Sequence, residues 1–157
     1  MPRIPNVLAI AAISAATGAI GVATAGSASA TPTASTARSH TVDAVRTSVG
    51  EILVDRNGLT LYLFTRDSRD KDKCAAISGC TAVWPPYTTT GAPTAGPGVK
   101  ASLLGTTKQG NHEQVTYDGH PLYEYAQNNE PGATGYVGTP EFGGTWDAVS
   151  PSGKAVG

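Results

Sequence analysis

Charge is scarce in this chain. Asp, Glu, Lys and Arg make up 15% of the 157 residues, and eleven cations nearly balance twelve acids. Nucleic-acid binders carry a basic patch, and proteins held on anionic lipid carry a basic face. The near-neutral balance argues against both. Cysteine is limited to Cys74 and Cys80. Their spacing does not match the two-residue gap of zinc knuckles or thioredoxin-like motifs. No Gly-x-Ser-x-Gly elbow is present. Gly96-Pro97-Gly98 lacks the Lys-Ser/Thr and the preceding strand of a phosphate loop. Glu113, Glu124, Glu130 and Glu141 show no spacing that singles out a glycosidase acid pair. No catalytic residue and no cofactor is therefore assigned.

What is abundant is small and turn-forming: 19 Gly and 11 Pro. That composition predicts many turns and few long helices. The N-terminus has the pattern of a secretory signal over residues 1–30. Arg3 precedes an uncharged, Ala-rich stretch from Val7 to about Ala25, and Ala28-Ser29-Ala30 supplies a small-x-small cut. Ala23-Thr24-Ala25 is a second possible cut. Residues 31–44, rich in Thr, Ser and Ala, read as a disordered leader. No Cys lies near the cut to accept a lipid, and no apolar segment closes the C-terminus. The expectation is a secreted, extracellular chain from about Thr31, with no membrane contact after cleavage. An oxidising compartment makes a Cys74–Cys80 disulfide the default.

One short pattern occurs twice. Asn57-Gly58-Leu59-Thr60-Leu61-Tyr62-Leu63-Phe64-Thr65-Arg66-Asp67 matches Asp118-Gly119-His120-Pro121-Leu122-Tyr123-Glu124-Tyr125-Ala126-Gln127-Asn128 at an offset of 61. Trp84 and Trp146 follow at an offset of 62. In the first copy Leu59, Leu61 and Leu63 alternate with Tyr62 and Phe64, so the strand is apolar on both faces and belongs between two layers. Asn57-Gly58 and Asp118-Gly119 are hairpin turn signals. They join a strand near 51–54 to a return strand over 59–65, and Gln114–Tyr117 to Leu122–Ala126. Leu103–Thr107 reads as a short strand, and Thr145–Ser150 as a closing one. Short strands at regular spacing predict an all-β domain over 45–157, sandwich- or barrel-like, from two similar antiparallel units (about 49–87 and 101–150) with pseudo-twofold symmetry.

Together, Gly58-x-x-Leu61-Tyr62-x-Phe64-x-x-Asp67, Cys74…Cys80-x-x-x-Trp84-Pro85-Pro86, Gln114-Val115-Thr116-Tyr117-x-Gly119-His120-Pro121-Leu122-Tyr123 and Gly143-Gly144-Thr145-Trp146 resemble one bacterial family. It is the secreted-repeat family of predicted lipoproteins with a Tyr-x-aromatic-x-x-Asp motif, of unknown function. The chain departs from that pattern in lacking a lipid-acceptor Cys, in ending the second copy with Asn128, and in a longer Cys74–Cys80 gap. The resemblance implies fold and location, and carries over no catalytic residue.

The motif residues Tyr62, Phe64, Tyr123 and Tyr125 and the structural aromatics Trp84 and Trp146 are expected in the core. Asp67 and Asn128 are expected to cap turns, since both side chains accept backbone hydrogen bonds. Asp67, Asp70 and Asp72 lack EF-hand spacing, so residues 66–73 read as a solvated turn. His112 and His120 are weak metal candidates. Meeting across a hairpin, they could hold copper or zinc with Glu113. The leading expectation is a non-catalytic module at the cell envelope that binds a wall polymer or a secreted protein through exposed aromatics. The alternative is an extracytoplasmic metal-binding or redox accessory protein, and the third an envelope hydrolase. A site is expected where the copies differ: the stapled loop, the His120-Pro121 hairpin or the Gly-rich segment.

Overall fold

A computed structural model describes residues 41–157. The expected export signal and all but the end of the expected leader lie outside the described residues. β1 (Val42–Thr47) and β2 (Gly50–Asp55) form an antiparallel hairpin. This differs from the leader boundary and single first strand expected from sequence. Val42 is fully buried in the aliphatic core, and the Tyr87 hydroxyl donates to the Thr41 carbonyl at 2.6 Å, so the segment is fixed by tertiary contacts rather than by its own period.

The strands that follow are short: β3 (Tyr62–Phe64), β4 (Thr88–Thr89), β5 (Leu104–Gln109), β6 (His112–Tyr117), β7 (His120–Pro121), β8 (Thr139–Glu141), β9 (Gly144–Val149) and β10 (Ala155–Val156). A single α-helical turn, α1 (Cys80–Val83), and two 3₁₀ turns complete the described secondary structure. β3, β8, β9 and β10 make one four-stranded sheet, and β4, β5, β6 and β7 another. The fold is all-β and sandwich-like, and the described sheets do not close into a barrel.

The first expected hairpin forms from its turn as far as Leu61, whose N–H donates to the Leu53 carbonyl at 3.0 Å. Asp55 and Leu59 are hydrogen-bonded around Asn57-Gly58, and Val54 bridges Thr60. The return strand then leaves β2. β3 pairs with β9 of the second copy, with Tyr62 opposite Ala148 and Phe64 opposite Trp146. The second return strand mirrors this. Tyr123 bridges Pro86 beside Trp84, and the Ala126 N–H donates to the Val83 carbonyl. The two return strands meet at Tyr62 and Tyr123, whose N–H groups each donate to the other's carbonyl at 2.9 Å. Each copy's Trp segment thus pairs with the other copy's motif strand, about a pseudo-twofold axis through the Tyr62–Tyr123 pair.

Period-two alternation sorts the side chains into two cores. Leu61, Leu63 and Leu122 join Val42, Leu53, Val115, Tyr117 and Val149 in an aliphatic cluster. Tyr62, Phe64 and Tyr123 join Trp84, Trp146, Cys74 and Cys80 in an aromatic one, with Tyr125 and Tyr136 packed on it. Cys74 and Cys80 are disulfide-bonded. By chain entropy, closing so short a loop stabilises by about 2 kcal/mol.

Candidate functional site

The first copy's charged loop, residues 66–73, is held down on the second copy's hairpin. The Asp70 N–H donates to the Gly119 carbonyl at 2.7 Å, and the Thr107 hydroxyl to the Asp70 carbonyl at 2.7 Å. Arg69 donates to the Asp118 carbonyl at 3.1 Å and lies 3.8 Å from its carboxylate. Gly119 has φ +79°, and a Cβ there would come within 2.6 Å of the Arg69 side chain. The glycine that makes the turn therefore also admits the loop.

Docking brings Asp67 to the seam between the copies. One carboxylate oxygen accepts the Lys73 N–H at 2.8 Å, which is the expected turn cap. The other accepts the hydroxyl of Tyr123, from the opposite copy, at 2.8 Å. Burial raises the Asp67 pKa to about 6, with nearby Asp72 adding to the rise, although both hydrogen bonds oppose it. Burial, and then the negative charge of Asp67 and Asp72, pushes the Tyr123 phenol upward. Asp67 opens into a cleft of about 300 Å³ lined also by Thr65, Asp118, His120 and Lys154, beside the buried strand residues Leu63 and Phe64. The cleft thus combines a half-buried acid of one copy with an imidazole of the other.

A family model described as a secreted repeat of unknown function, Lipoprotein_15, matches residues 43–88 and again 104–150. The chain belongs to this secreted-repeat family. The first match runs from β1 past Trp84, the second from β5 past Trp146, so each repeat is one motif strand with its Trp segment. Comparison with curated proteins and with solved structures found no match.

Within this secreted-repeat domain the two copies end differently. The Asn128 side-chain oxygen accepts the Glu130 N–H at 3.3 Å, a weaker version of the Asp67 cap. The Asn128 amide nitrogen is buried without a hydrogen bond. The Tyr62 hydroxyl, counterpart of that of Tyr123, has the Thr60 hydroxyl nearby but no well-formed hydrogen bond, and burial raises its pKa to about 12. The carboxylate–phenol contact therefore exists on one side of the pseudo-twofold only.

The histidines do not meet, contrary to the hairpin expectation. His112 pairs with Gln109 at one end of β6, and His120 pairs with Tyr117 at the other. At about 3.4 Å per strand residue they stand roughly 17 Å apart. His112 lines a separate cleft of about 260 Å³ with Lys108 and Glu113. Among the described residues, no three His, Cys, Asp or Glu side chains cluster closely enough to share a metal ion.

The aromatic platform expected at the surface is also absent from Trp84, Trp146, Tyr62, Phe64 and Tyr123, all of which are buried. Tyr125 and Tyr136 keep half-open faces. The strands that carry the aromatics are covered on both sides, and their rings have no route outward.

Three partners escaped the sequence. Tyr136 packs on Tyr125 from the Gly-rich segment, where no periodicity marks it. Glu141 accepts the Trp84 indole N–H at 2.9 Å. Glu124 occupies the place of Leu63 in the second copy, and alternation therefore directs it to the aliphatic face, beside Asp55. Burial, then the adjacent Asp55 carboxylate, raises its pKa, with Arg56 partly offsetting. The Leu63/Glu124 mismatch between the copies was the available signal.

Proposed function

We propose that the domain is a non-catalytic binding module working outside the cell, at the envelope, and that its ligand site is the Asp67–His120 cleft. The family's description as a secreted repeat supports the location. The observation that carries the reading is the shared lining: Asp67 of the first copy opens beside His120, Asp118 and Lys154 of the second. Asp67 is anchored at both oxygens, which favours a fixed recognition group. Wall polymers present hydroxyl, amide and ammonium groups in repeating units. Asp67 and Asp118 can accept hydrogen bonds from them, while Lys154 and His120 can donate.

Pelleting of the purified protein with isolated cell-wall polymer tests this. The expected result is depletion from the supernatant, reduced at least fivefold by Asp67→Asn combined with His120→Ala. Unchanged depletion by that pair would move the site elsewhere, and no depletion at all would remove the wall polymer as ligand. Calorimetry with copper and zinc separates the metal-binding alternative. Tight binding lost with His120→Ala would replace the polymer reading with that one.

A further inference from the structure

Both Trp residues of the chain lie in one continuous stack of rings. Phe64 stacks on Trp146 with centroids 4.2 Å apart and planes 9° apart. Trp146 stacks on Trp84 at 4.2 Å and 2°. Trp84 meets Tyr125 at 4.7 Å, and Tyr125 meets Tyr136 at 3.9 Å. The indoles and Phe64 are buried, while Tyr125 and Tyr136 are half-exposed at the outer end. Tyr123 meets Trp146, and Tyr62 meets Trp84, in T-shaped contacts with centroids 5.1 Å apart.

Indole and phenol are among the most easily oxidised side chains, and rings in van der Waals contact exchange electrons readily. A phenol that loses an electron becomes a very strong acid, so a buried tyrosine is oxidised only where a base can take its proton. Tyr123 has that base in Asp67. Tyr62 does not, because the second copy carries Asn128 in place of the acid.

We propose that the stack is a one-electron relay: an outer-sphere metal-complex oxidant acting at the Tyr125–Tyr136 end withdraws an electron from the indole pair, and the oxidising equivalent settles on Tyr123 as its phenol proton passes to Asp67. The oxidant is reduced by one electron. The Tyr123 O–H bond breaks and an O–H bond forms on the Asp67 carboxylate, leaving a neutral phenoxyl radical beside a neutral carboxylic acid. Both indoles return to their starting state. An electron from a reductant, with return of the proton, restores the phenol. The Glu141 carboxylate on the Trp84 N–H stabilises the transient indole cation. The raised pKa of Asp67 makes it a better proton acceptor than an exposed carboxylate.

Flash-quench oxidation of the purified protein with a photoexcited ruthenium polypyridyl complex and a cobalt(III) acceptor, read by transient absorbance and EPR, tests the relay. The wild type is expected to give a tryptophan radical that converts to a tyrosine radical. Asp67→Asn keeps the side-chain shape and one acceptor oxygen but cannot accept the proton, so conversion is expected to slow at least tenfold and the signal to stay on tryptophan. Tyr123→Phe is expected to abolish conversion, and Tyr62→Phe to leave it unchanged. A tyrosine radical formed at the wild-type rate in Asp67→Asn overturns the proposal, even if Tyr123→Phe fails to fold. So does a wild-type tyrosine signal lost only with Tyr136→Phe.

Discussion

The two copies build the same frame and finish it differently. In both, a Leu-Tyr-x-aromatic strand sends its Leu to one core and its aromatics to the other. In both, the strand pairs with the Trp segment of the opposite copy. At the end of the first copy Asp67 bonds Tyr123 and opens on a cleft, whereas at the end of the second Asn128 is buried and partly unsatisfied. Matching positions carry the packing and mismatched positions carry the polar chemistry. Duplication thus supplies a core that neither copy could close alone, and divergence at one seam supplies a cleft.

The largest test of the shared frame is the indole pair. Trp84→Ala and Trp146→Ala are each expected to lower stability by about 3–5 kcal/mol, the usual loss for a large buried aromatic. The two losses should agree closely, as measured by urea unfolding. A large difference would break the equivalence of the copies. Replacing both Cys74 and Cys80 by Ser, which touches the first copy alone, should lower stability by about 2 kcal/mol.

Next come the mismatched ends. Asn128→Asp places a carboxyl where Asn128 is 9% exposed and only one hydrogen bond is at hand, so at pH 7.5 it should destabilise by about 1–3 kcal/mol. Asp67→Asn should do the opposite. The folded-state pKa of Asp67, about 6, lies above its ordinary value of 3.8. Its protonated form is therefore favoured by folding. That contribution is full below about pH 3.8 and is lost as pH rises through about 6. Asp67→Asn should stabilise at pH 7.5 by on the order of 1 kcal/mol, allowing for partial exposure, and should flatten the stability profile between pH 4 and 7. Thermal melts of both variants across that range check the sign. Gly119→Ala should have the smallest effect, about 1 kcal/mol, through its positive φ and the crowding of Arg69.

Much of this frame was legible in the sequence because alternation and turn chemistry are local. The run from Leu59 to Thr65 predicted a strand covered on both faces, and Leu61 and Leu63 do face away from Tyr62 and Phe64. Asn57-Gly58 predicted a turn, and the turn is there. Strand partners are set by long-range packing, and a turn signal carries no information about them. β3 therefore paired with β9 rather than β2. The strand at Val42–Thr47 was missed because its ordering comes from Tyr87, Thr94 and the aliphatic core, all distant in sequence. At the candidate site, the meeting of Asp67 with His120 depends on loop docking across the copies. The asymmetry between Asp67 and Asn128 and the His120-Pro121 hairpin are legible in the sequence, but their meeting is not.

Interlocking of the copies is tested most directly at the axis itself. The amides of Tyr62 and Tyr123 each donate across the copies. Native-state hydrogen exchange resolved at these two positions should give one free energy for both, equal to that of global unfolding. Exchange of either amide through a partial opening, with the other still protected, would contradict a single core built from two exchanged strands.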